Sequence, residues 1–147
     1  MPERETMERA KEDAREGKSP STQAGEFVRE EIHHVREGKH GARSPKQAIA
    51  IGLSKARRAG VKLQAPKGPA SLRRKAQQDN KAGKKKSTAK KTSKSRSRAV
   101  SRALKRESTK TASRGALSGQ AKRSAASRGK RARITSARKA ANTRKAA

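Results

Sequence analysis

The chain has 147 residues, 42 of them Lys or Arg against 12 acidic, for a formal charge of +30, and only 29% are apolar. That leaves room for one small domain and denies most of the length a sizeable core, because burial cannot offset ordering entropy at this composition. With no cysteine, disulfides and thiolate metal sites are excluded, and the longest apolar run, Ala48 to Leu53, is far too short to span a bilayer.

The N-terminal residues include Glu3, Glu5, Glu8, Glu12 and Asp13 and no apolar stretch. Neither a secretory signal nor a transit peptide is expected from such a start. A first helix is predicted over Pro2 to Glu16, with Pro2 at its first position, Gly17 as its stop and a thin apolar side of Met7, Ala10 and Ala14. A second begins near Ser19 or Ser21 with Pro20 early in it. Ala24, Phe27, Val28, Ile32 and Val35 form its apolar stripe, and Gly38 is placed for a left-handed cap.

The third helix has the clearest start signal: Ser44 as N-cap, Pro45 at the first position and Gln47 at the third, the elements of a capping box. Ile49, Gly52, Leu53 and Ala56 share a face, with Ala48 and Ala59 at its edge, and Gly60 and Val61 close the helix. Gly52 lowers helix propensity on that face, which points to a close helix–helix approach there. Lys55, Arg57 and Arg58 fall outside the apolar face and are expected to be open to a ligand. Phe27, the only aromatic, reads as core and not as a base-stacking platform. Arg-Glu-Gly-Lys at 15–18 and 36–39, and Ser-Pro followed by Gln-Ala at 19–24 and 44–48, read as helix stop and start signals used twice.

The stretch QAIAIGLSKARRAG, Gln47 to Gly60, resembles a motif in a bacterial family of small proteins of unknown function, and FVREEIHHVREGK, Phe27 to Lys39, is similar to that family's upstream helix. The resemblance covers about residues 24–63 and implies no activity.

A Pro- and Gly-containing joint, residues 64–70, separates this head (1–63) from a tail (71–147). Residues 66–147 carry 28 basic and 2 acidic side chains, with only Leu72, Val100, Leu104, Leu117 and Ile134 as large apolar residues. The fold expected is therefore mostly disordered, with a small all-α N-terminal region of two to three short helices. Within the tail, Ala99–Arg106 and Ala112–Ala126 are expected to become helical once phosphates neutralise their charge. Lys predominates up to residue 94 and Arg beyond it; Arg adds a planar fork to simple charge.

Dense cations suit sequence-independent binding to phosphates, driven by counterion release. The candidate contacts are Lys55, Arg57 and Arg58 in the head. In the tail they are Arg73, Arg74, Lys75, Lys84, Lys85, Lys86, Lys90, Lys91, Arg96, Arg98, Arg102, Lys105, Arg106, Arg114, Lys122, Arg123, Arg128, Lys130, Arg131, Arg133, Arg138 and Lys139. Glu30-x-x-His33 has carboxylate–histidine metal spacing, but a di-iron site needs further such helices. Surface pairs Glu30–His34 and His33–Glu37 are the expected roles, with no metal and no cofactor. No phosphate-cradling Gly-rich loop, Ser-His-Asp set or Cys nucleophile is present, so no enzyme is expected.

The function expected is largely sequence-independent DNA binding by a nucleoid-associated, histone-like protein in the cytoplasm. RNA binding, as by a ribosome-associated protein, is the first alternative. The second is a protein-interaction head, or a head that self-associates, with the tail as a localising arm. A membrane partner is not expected.

Overall fold

A computed structural model of the chain describes residues 2–84 and 93–146. Among these, the helices are α1 (Arg4–Arg15), α2 (Pro20–Arg36), α3 (Pro45–Arg58), α4 (Ala70–Lys84), α5 (Lys94–Arg106), α6 (Arg114–Ser127) and α7 (Gly129–Ala146), with a 3-10 turn at Lys110–Ala112. They fall into two units, Met1–Ala112 and Ser113–Ala147.

α2 and α3 begin and end where their local chemistry directs, whereas α1 starts at Arg4, past the expected Pro2 and without a side-chain cap, and stops before Gly17 (φ 72°). Ser19 Oγ accepts the Thr22 N–H and Pro20 opens α2. Ser44 Oγ accepts the Gln47 N–H at 3.3 Å, as expected of an N-cap. The return bond is displaced by one residue: Gln47 Oε1 accepts from the Arg43 amide at 2.7 Å. Gly38 (φ 72°) and Gly60 (φ 99°) take the left-handed conformation just beyond α2 and α3. Past Gly60, Val61 is buried and donates its N–H to the Ala56 carbonyl.

α2 is the central helix of the first unit, packed on both α1 and α3, while α4 lies on α3. One core cluster joins Ala10, Ala24, Phe27, Ala56 and Val61, with Met7, Leu53 and Leu63 against it. A second joins Val35, Ala42, Ala48 and Ala112, with Ile32 against it. The expected close approach is present: a Cβ on Gly52 would lie 2.7 Å from Val28 Cα and 3.0 Å from the Phe27 carbonyl oxygen. The buried side of α3 is turned from the expected one, with Ala48, Gly52, Ala56 and Arg57 buried and Ala59 exposed.

The expectation of a disordered tail is overturned, since every long described stretch beyond residue 70 is helical. α4 is fixed by tertiary contacts. Ala76 and Asp79 are buried, and Asn80 Nδ2 donates to the Leu63 carbonyl at 2.9 Å. α5 is tied by its C-terminal end to the loop between α2 and α3: the Gly41 amide donates to the Leu104 carbonyl at 2.8 Å and the Ala42 amide to the Ser108 carbonyl at 3.2 Å. Arg36 Nε donates to the Ala112 carbonyl at 2.9 Å, holding the 3-10 turn on α2.

α6 and α7 form the second unit with almost no core. No residue of α6 is buried, and the described side chains of α7 are all exposed. Ala, Lys and Arg are strong helix formers and need no buried face to adopt the conformation. Ser113 Oγ caps α6 through the Ala116 N–H, and Gly129 (φ 75°) breaks α6 from α7. Composition rules out a core in such a segment, but it does not rule out helix.

Candidate nucleic-acid interface

Charge is handled differently along the chain. Nine of the ten acidic residues among 1–37 take part in ion pairs. Arg9 Nε meets Glu26 at 2.7 Å, and Lys18 bridges Asp13 and Glu16. Arg4, Arg9, Lys18, Lys39 and Lys55 are thereby paired with the head's own carboxylates.

Lys55, expected to face a ligand, lies instead at the α2–α3 contact. Its Nζ is 3.0 Å from Glu30 Oε1 and 2.7 Å from Glu31 Oε2. The Glu31 contact has ion-pair distance without hydrogen-bond alignment. Burial works against the ammonium, but contacts with Glu31 and Glu30 outweigh it and hold Lys55 above the usual lysine range. Burial likewise opposes ionisation of Glu30, while Lys55, the Glu3 amide and Thr6 prevail and hold its carboxyl below the usual range.

Arg57 is buried and donates to the Gln64 carbonyl. Arg58 Nε lies 2.8 Å from Asp79 Oδ1, which also takes Lys75 at 3.3 Å. Ser54 Oγ donates to Asp79 Oδ2 at 2.7 Å. Burial raises the Asp79 carboxyl, and the contacts with Ser54, Arg58 and Lys75 more than reverse this. Asp79 thus ties α4 to α3. Its pairing with Lys75 follows i,i+4 spacing and was readable in the sequence; its pairing with Arg58 and Ser54 was not.

The cations beyond α4 are placed differently. Arg73, Arg74 and Lys84 are exposed on α4, whereas Lys85, Lys86, Lys90 and Lys91 lie outside the described residues. α5 has no buried residue and carries Lys94, Arg96, Arg98, Arg102, Lys105 and Arg106 in 13 positions. At 3.6 residues per turn, five of these six fall within an arc of about 120°. Lys94, Arg98, Arg102 and Arg106 form a ridge with steps of about 6 Å along the axis. Val100 and Leu104 lie on the other side, with Leu104 half-buried and Val100 54% exposed.

On α6 the exposed cations are Arg114, Lys122 and Arg123, followed by Arg128 in the break. α7 carries Lys130, Arg131, Arg133, Arg138, Lys139, Arg144 and Lys145. From Ser108 to the end there is no acidic residue. The second unit therefore has no internal carboxylate to pair with its cations.

Glu30 and His33, the expected carboxylate–histidine spacing, are not brought together as ligands: Glu30 turns to Lys55 and His33 is exposed. His34 meets Glu3, not Glu30, at 2.9 Å. Among the described residues, no helix is long and apolar enough to cross a membrane.

Residues 15–67, spanning α2, α3 and the chain just beyond, match the model of a family of unknown function (DUF6496), over about a third of the chain. No curated protein and no solved structure matches the chain.

Proposed function

We propose that this protein is a non-enzymatic binder of duplex DNA that grips the phosphate backbone through cationic helices, alongside a folded head of α1–α4. One observation supports the reading above the others: exposed Lys and Arg side chains crowd α5–α7, and from Ser108 onward the sequence carries no Asp or Glu. Duplex DNA carries a condensed layer of cations, and Lys or Arg side chains that neutralise its phosphates release them. No base readout is needed, and affinity is set by charge density. The location that goes with this reading is the nucleoid.

DNA is favoured over RNA by shape. A straight helix bearing a cationic ridge fits between the phosphate walls of a major groove about 12 Å wide. The corresponding groove of A-form RNA is deep and narrow and is not read by side chains. The test is fluorescence anisotropy of the full chain with duplexes of unrelated sequence, DNA and RNA, at physiological salt. The expected outcome is similar affinity for all DNA sequences and weaker binding to RNA. Preference for RNA would move the reading to an RNA-associated protein, and retention of neither duplex would overturn it.

A further inference from the structure

We infer that Glu31, His34 and His40 form a binding site for one divalent transition-metal ion, Zn2+ being the ion committed to. A carboxylate oxygen of Glu31 and one ring nitrogen from each histidine all lie within 4.8 Å of one another. Tetrahedral zinc with bonds of about 2.0–2.1 Å sets its ligands about 3.4 Å apart, so closure onto an ion needs side-chain movements of about 1 Å. Glu31 and His34 are one turn apart on α2. Gly38 reverses the chain after that helix and brings His40 back, with its ring 6.2 Å from that of His34 in an edge-on arrangement.

The hydrogen bonds around the rings are those of metal ligands. His40 Nδ1 is 3.0 Å from the Gly41 carbonyl oxygen, which can only accept, so the proton sits on Nδ1. Its Nε2 then faces Glu31 Oε1 at 3.1 Å. With Nδ1 given to the Gly41 carbonyl, that contact needs a proton or a metal cation between Nε2 and the carboxylate. His34 Nε2 lies 2.9 Å from Glu3 Oε1 and donates to it. A carbonyl on one ring and a carboxylate on the other are the outer partners that orient metal-bound histidines.

Burial supports the same assignment. The Glu31 side chain is 1% exposed, and those of His34 and His40 are 14% and 17% exposed. Lys55 holds Glu31 Oε2 and leaves Oε1 toward the rings. Three protein ligands of this type leave a fourth position for water. The ion would also staple the end of α2 to the loop whose Gly41 and Ala42 amides hold α5.

The test uses the full chain without a histidine tag, metal-stripped and titrated with Zn2+ against a competing chelator dye. The inference expects one ion per chain. It also expects at least about tenfold weaker binding in His40→Ala and in His34→Ala, and unchanged affinity in His33→Ala. Circular dichroism establishes that the variants fold. X-ray absorption of the zinc-loaded protein, expected to show two imidazoles in the metal shell, gives a readout independent of them. Equal affinity in wild type and folded His40→Ala, no binding at micromolar Zn2+, or a shell without imidazole would overturn the assignment.

Discussion

The α1–α3 region and the α5–α7 region are both helical and rich in Lys and Arg, yet they use these residues for different ends. In α1–α3 many of the cations answer acids of the same region: Lys55 is half-buried between Glu30 and Glu31, and Arg9 and Lys18 are cross-linked to neighbouring helices or turns. In α5–α7 the helices carry cations on open faces with hardly a carboxylate in reach. A positive count is therefore a poor guide to where an anion binds. The distribution of acids decides which cations are free.

Substitutions can break this contrast at either end. The largest effect is expected at Lys55. Lys55→Met leaves two carboxylates buried side by side, and loss of one partner from a buried ionic group costs about 3–5 kcal/mol. Urea unfolding followed by circular dichroism should show that loss in the head, while affinity for DNA at permissive temperature stays near that of wild type. A neutral effect would mean that the Lys55 network is solvated. Gly52→Val comes next. Its side chain would collide with the α2 backbone at Val28, and overpacking of this kind costs about 1–3 kcal/mol. An unchanged melting temperature would contradict the tight α2–α3 crossing.

The start and stop signals of α2 and α3 were legible because they are local. Ser19, Pro20, Ser44, Pro45, Gly38 and Gly60 act within a turn of their own positions. The close contact at Gly52 was legible because glycine on an apolar helix face has few other uses. What escaped sequence reading depends on distant residues. Arg57 is buried because α4 and the chain after α3 cover it, and Asp79 gathers Ser54 and Arg58 from 21 to 25 residues away. In the tail, α5 and α6 were legible in part, at Ala99–Arg106 and Ala112–Ala126, but only as helices formed on phosphate binding. α4 and α7 escaped, because a scarcity of large apolar residues argues against a core and not against helix, which Ala, Lys and Arg favour without burial. For the inferred metal site, the useful spacing lay one residue beyond the obvious one, at Glu31 and His34. His40 joins them only after the turn at Gly38.

The central claim is that the exposed cations of the C-terminal helices, and not the paired ones of the head, carry the affinity for DNA. It is tested most directly by the salt dependence of full-chain binding to duplex DNA. Wild type is compared with Lys94/Arg98/Arg102/Arg106→Gln on the α5 ridge and with Arg9/Lys18/Arg58→Gln in the head. Each phosphate contact contributes about 0.9 to the slope of log affinity against log salt, so removing four ridge contacts should flatten it by about 3.6. These exposed substitutions should change stability by less than about 0.5 kcal/mol each. The head variant should keep the wild-type slope. An unchanged slope in the ridge variant, or an equal flattening in the head variant, would contradict the account.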